Sequence, residues 1–216
     1  MNLIATLKIN FRLLPLRQAL RLPIVVKGPL HLNIGREARV VLPEDAKHGV
    51  VVIGSQHETY QAYAGKAQLS LFGTWQVRGK VRIGVDSCIY IHCGATFTTG
   101  EGVYIARDSQ IECAEQITLG DHVLAGEIYI CDTAGHQVTH FGQKQPMTRP
   151  IVIGEGCYFG FRTQVLRGTV IPSHCVIGSG AVCTHDYSAE NEGHLLLTGV
   201  PAVVKATDVT PDCHVK

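Results

Sequence analysis

The sequence lacks any apolar run approaching the ~18 residues that a membrane-spanning helix needs, because basic residues interrupt its first stretch repeatedly. The same interruptions exclude a signal peptide, and the expected location is the cytoplasm. Aromatic residues are scarce, at 6%, which disfavours a bulky layered core. Net charge is nearly absent, at +1, so bulk electrostatics excludes a nucleic-acid binder. No glycine-rich nucleotide-binding segment occurs near the start, which disfavours a sugar nucleotidyltransferase. The eight cysteines, Cys88, Cys93, Cys113, Cys131, Cys157, Cys175, Cys183 and Cys213, form no CxxC pair and no zinc-ligand spacing. They read as small, buried, reduced thiols, with no metal expected. Acidic residues are missing before Glu37, whereas Lys8, Arg12, Arg17, Arg21, Lys27 and Arg36 all lie in that stretch. This basic start suits peripheral contact of residues 1–27 with an anionic surface, such as the inner face of a membrane.

What is present is a repeat. The 216 residues, 45% of them hydrophobic, fill one sizeable core, and the 23 glycines fit a chain with many sharp corners. Large apolar residues recur every six positions at Ile153, Phe159, Val165, Ile171 and Ile177, and Cys183 continues the row. Gly154, Gly160 and Gly178 directly follow three of these, and the small residues Cys157, Thr163, Thr169, Cys175 and Ala181 come four positions after the large ones. A period of six with correlated offsets fits neither a helix stripe nor simple strand alternation. It predicts a triangular coil in which the large residue points inward, the next turns a corner, and the small one fills the tapered interior. Glycine at the corner is expected to supply a strained φ/ψ. The pattern recurs at Ile83-Gly84, Ile89 and Ala95, at Thr99-Gly100, Ile105 and Ile111, and at Leu119-Gly120, Ala125 and Cys131. Coils are thus expected from Val81 to Asp186, with rougher ones between Lys27 and Thr74 cornering at Ile34-Gly35 and Ile53-Gly54.

These hexads resemble the hexapeptide-repeat acyltransferase family. The resemblance, not the period, implies an all-β, left-handed parallel β-helix, against the usual right-handed rule for parallel crossovers. Residues 1–26 are expected to form an N-terminal cap, 27–186 the coils with a protruding loop at 132–150, and 187–216 an irregular capping segment. The stretch Phe11 to Ile24 looks like the opening of acetyltransferases of bacterial surface polysaccharides. Leu195 to Lys205, containing Gly199-Val200-Pro201-Ala202, resembles the family's closing G-[NV]-P-A segment.

The same resemblance assigns the chemistry. Asp132 to His136 is similar to the D-x-[DG]-x-H stretch of sugar O-acetyltransferases, just before the restart Arg149-Pro150-Ile151-Val152-Ile153-Gly154. By that match His136 is the general base, and a neutral imidazole suits removal of a hydroxyl proton near neutral pH. Asp132 is expected to orient it, although Ala134 stands where the family often has a second acid. Tyr158, Gly160 and Phe161 match a [WY]-[IF]-G segment, and Gly178, Ser179 and Thr184 lie in a G-[AS]-G-[SA]-x-[VC]-T segment. Both line the coenzyme A groove in relatives. His185 and Lys205, with Arg162 and Arg167, are candidates for its phosphates, and a backbone N–H near Gly160 or Phe161 for the oxyanion. Acetyl-CoA is the implied co-substrate, a carbohydrate the acceptor, and a homotrimer the assembly. N-acetylation of an amino sugar and a noncatalytic scaffold are the alternatives. A γ-type carbonic anhydrase is disfavoured because His136 and His140 are separated by three residues and the H-x4-H pair is missing.

Overall fold

The protein is described by a computed structural model covering residues 1–55, 65–189 and 193–211, so Cys213 and part of the closing segment lie outside the described residues. The chain winds through three parallel sheets as a three-sided prism. The first face stacks Ile24–Val26, Val51–Ser55, Val81–Gly84, Val103–Ile105, Leu124–Ala125, Tyr158–Phe159 and Val176–Ile177. The second runs from Leu30–Ile34 to Val182–Cys183, and the third from Arg39–Val41 to Val170–Ile171. The earlier coils, rougher in sequence, belong to the same sheets, and the first strand starts at Ile24.

Residues in register pile into inward columns. Ile83, Ile105, Ala125, Phe159 and Ile177 form one, and all are buried. Each fully buried aliphatic side chain contributes roughly 1.5–3 kcal/mol, so stability is spread along the axis. Trp75 and Phe97 stack at 6.2 Å between ring centroids in the early coils, whereas in the late ones Phe159 and Tyr187 share the interior with the small Cys157, Cys175, Ala181 and Cys183.

Two expectations about the corners are corrected. Gly154 and Gly160 have no positive φ. A Cβ on Gly154 would sit 2.5 Å from the Ser173 nitrogen, and one on Gly160 would sit 2.7 Å from the Ser179 nitrogen. Glycine is needed there because the next coil's backbone presses on it, not because of strained dihedrals. The left-handed residues lie two positions further on, at Asp86, Asp108, Arg162 and Gly180, with φ between 53° and 73°.

The second correction concerns register. Cys131 does not continue the inward row; Ile130 does, paired with Ile111 and Val165. The corner between Ala125 and Ile130 is one residue shorter than its neighbours and has no left-handed residue. The slip carries Asp132 onto the inward register that Cys113 occupies one coil earlier.

Both ends of the first face are closed. The helix Leu3–Leu13 is capped by the Asn2 side chain, which accepts from Ala5 N at 3.2 Å, and Pro15 opens the short helix Leu16–Ala19. Asn10 Nδ2 donates to the Ile24 carbonyl at 2.6 Å, its Oδ1 accepts from Ile24 N at 3.1 Å, and Thr6 Oγ1 accepts from Val26 N at 3.0 Å. These bonds satisfy an edge strand that would otherwise invite pairing. At the far end, the segment expected to be irregular is an ordered hairpin. Leu196–Gly199 runs parallel to Val176–Ile177 and pairs antiparallel with Ala202–Ala206. The buried Tyr187 hydroxyl donates to the Ala202 carbonyl at 3.0 Å.

Candidate active site

The loop 132–150 leaves the edge between the second and third faces as a hairpin arm. Thr133 bridges Thr148, Ala134 N donates to the Met147 carbonyl at 2.8 Å, and Thr139–His140 pairs with Gln143–Lys144. Phe141 and Gly142, both at positive φ, make its tip, and Phe141 is 92% exposed. The arm rests on the next coil, where Arg167 Nη1 donates to the Pro146 carbonyl at 3.0 Å and Gly168 N to that of Arg149 at 3.1 Å. His136 is exposed on this arm, after Gly135 at φ 69°. Among the described residues no group hydrogen-bonds its imidazole.

Asp132 is fully buried at the root of the arm. Its Oδ1 accepts from Ala114 N at 2.6 Å, and its Oδ2 from Glu115 N at 2.9 Å and Gln116 N at 2.8 Å. Those amides face the coil position that the chain vacates when it leaves as the arm, so the carboxylate replaces missing ladder acceptors. Its backbone carbonyl also accepts from Arg149 N at 3.0 Å, which closes the arm's mouth. Both carboxylate oxygens are thus committed to peptide donors, and the structure does not join Asp132 to His136 directly. The neighbouring Cys113 thiol is pushed up to about 12, first by burial and then by the Asp132 charge.

The segments matched to the coenzyme divide between two edges of the prism. Gly160, Phe161, Gly178 and Ser179 lie between the first and second faces, with Tyr158 on the adjoining strand. Thr184 and His185 lie at the edge that bears the arm, where the Thr184 hydroxyl and His185 Nδ1 are 2.9 Å apart. Lys205 is exposed on the last strand of the first face. Phe161, Ser179, Thr184 and His185 are exposed, while Gly160 is buried against Ser179. The Gly160 N–H donates to the Ile177 carbonyl at 2.8 Å, so it is already engaged within the coil.

Sequence reasoning missed a notch on the first of these edges. The shortened corner opens a polar cleft of about 380 Å³, lined by Asp108, Gln110, Glu127, Tyr129, Arg162 and Gln164 among others. Arg107 Nη2 pairs with Glu127 Oε1 at 2.9 Å and holds that acid in place. The signal for it was the spacing of five from Ala125 to Ile130, where its neighbours have six.

No family model matches the chain. Over 169 residues, 75% of its length, it is 33% identical to the probable acetyltransferase Rv3034c of Mycobacterium tuberculosis, and it spans about half (51%) of that protein. The polysialic-acid-specific acetyltransferase NeuO superposes with a TM-score of 0.54 at 15% identity, with 89% of each chain covered. The polysialic acid O-acetyltransferase OatWY superposes with 0.53 at 16% identity, covering 89% of this chain and 92% of its own. At such identities the superpositions speak to the fold alone. The chain is a hexapeptide-repeat, left-handed parallel β-helix, and it resembles the acetyltransferases built on that scaffold.

Proposed function

We propose that the chain is an acetyl-CoA-dependent O-acetyltransferase acting on a sugar or polysaccharide acceptor, with His136 as general base. The observation that carries this reading is the arm: a rigid coil holds out an exposed histidine whose root is fixed by the buried Asp132 carboxylate. His136 Nε2 or Nδ1 takes the acceptor's hydroxyl proton as the oxygen attacks the thioester carbonyl. The Phe161 N–H stabilises the tetrahedral oxyanion. Collapse of that intermediate breaks the carbon–sulfur bond, and the imidazolium returns its proton to the departing thiolate. Asp132 serves as a positioning residue through the arm's root.

The coenzyme runs along Tyr158, Gly160, Phe161, Gly178 and Ser179 with Lys205 toward its polar end, while Thr184 and His185, on the arm's edge, reach it from the neighbouring copy. Because the arm and the Gly160–Ser179 edge lie on different corners of one prism, the arm of one copy completes the groove of the next. A homotrimer satisfies that geometry, and it covers the Phe141 tip, which is otherwise bare. The Asp108–Arg162 notch offers carboxylate, amide and guanidinium groups suited to sugar hydroxyls.

Calorimetry with coenzyme A, before and after treatment with a chelator, tests the reading. Binding unaffected by the chelator is the expected result. Failure to bind at millimolar coenzyme would remove the transferase assignment.

A further inference from the structure

The N-terminal helix leaves a stripe of large apolar side chains in solvent. It meets the prism with Thr6, Ile9 and Asn10, all buried, and turns Ile4, Leu7 and Phe11 to solvent, with Ile4 81% exposed. At helical spacing Ile4, Leu7 and Phe11 share one stripe opposite the buried face, and Lys8 and Arg12 flank it. The short helix after Pro15 continues the patch with Leu16 and Leu20, both about two-thirds exposed. Ile9, Leu14 and Ala19 reach the core, yet five large apolar side chains remain outside, an arrangement that water alone does not favour.

A basic cleft adjoins this patch. Gln18 Nε2 donates to the Pro43 carbonyl at 3.2 Å, and Arg21 Nη1 donates to that of Glu44 at 3.0 Å. His48 Nδ1 lies 3.3 Å from the Arg21 carbonyl, so the segment 43–50 is fastened to the second helix. That segment forms one wall of a cleft of about 440 Å³ whose lining includes Lys47, His48, Arg78, Lys80 and Arg82. Asp45 and Glu101 are its acids, and Glu101 Oε2 is already engaged by the Lys80 N–H at 2.7 Å.

We propose that this end of the molecule docks on an anionic phospholipid surface. Ile4, Leu7, Phe11, Leu16 and Leu20 enter the boundary between headgroups and acyl chains, while Lys8, Arg12, Arg17 and the Lys47–Lys80 cleft meet lipid phosphates. Charge complementarity selects this occupant. With no acid before Glu37, a second copy packed patch to patch would bring like charge against like, and an apolar protein partner would leave the exposed Lys47 and Lys80 unused. The inference is independent of acetyl transfer.

The full chain should co-sediment with vesicles of phosphatidylcholine containing a third phosphatidylglycerol, should release as salt is raised, and should stay in solution with phosphatidylcholine alone. Replacing Ile4→Ser together with Phe11→Ser should weaken vesicle binding by about tenfold or more. Lys47→Glu with Lys80→Glu should weaken it comparably. Both pairs replace exposed side chains, and an unchanged circular dichroism spectrum will show that the fold is kept. The proposal is overturned if the wild type ignores the anionic vesicles or binds neutral ones equally. It is also overturned if Ile4→Ser with Phe11→Ser alters the mass by light scattering while leaving sedimentation unchanged, which would make the patch an interface between copies.

Discussion

Asp132 and His136 are four residues apart in sequence and belong to different environments: the one is sealed under three peptide donors, the other stands in solvent on an arm. Their variants should therefore fail differently. His136→Ala is expected to lower acetyl transfer by roughly 10²–10⁴-fold while coenzyme binding and melting temperature hold, because its truncation opens no cavity. Asp132→Ala strands three buried amides and should cost about 3 kcal/mol of stability in denaturant unfolding. Asp132→Asn keeps one acceptor oxygen, and it should lose less activity than His136→Ala. The buried thiols set an alkaline limit. Cys113 and Cys183 are both pushed up to about 12, chiefly by burial, from the ordinary value of 9.0. Below that ordinary value folded and unfolded chains are equally protonated; above it only the unfolded chain gives up these protons. Stability should then fall by about 1.4 kcal/mol per pH unit per thiol, and Cys183→Ala should flatten the decline. The motif directed attention to Asp132 and His136, but the burial of Asp132 was not legible in it. Its burial follows from a one-residue slip at Ala125 to Ile130 that periodicity alone did not register.

Among elements, the corner is the unit in which sequence and structure speak most plainly to each other. The six-residue period identified the late coils because each hexad repeats one solution: large residue in, glycine under the next coil, small residue in the taper. It underspecified the early coils, where longer corners break the spacing although the same sheets continue. It also misattributed the glycines, since a sequence does not separate a position that needs φ > 0 from one that needs room. Substitution separates them. Gly154→Ala should cost about 2 kcal/mol, because its Cβ would meet the Ser173 backbone at 2.5 Å and neither chain can yield. Gly180 has φ 73° and nothing within 4 Å of a Cβ, so Gly180→Asn should be tolerated within about 1 kcal/mol. Equal losses in thermal unfolding would refute the distinction. The closing hairpin was invisible for a related reason: Leu195 to Lys205 resembles a closing segment expected to be irregular, and its antiparallel ladder follows from the last parallel strand offering a free edge.

For the whole molecule, the decisive geometry is that one prism carries its histidine arm and its Gly160–Ser179 edge on different corners. On the proposed function, an isolated chain holds two half-sites. Light scattering should give about 70 kDa, three copies of the 23.4 kDa chain, and a fully active monomer would contradict the shared site. A crystal structure of the protein with coenzyme A bound tests the account most directly, since it needs no knowledge of the acceptor. It should show the pantetheine arm along Gly160 and Ser179 of one copy, with its thiol within about 4 Å of His136 from another. Coenzyme bound elsewhere, or a thiol with no His136 near it, would contradict the proposed site.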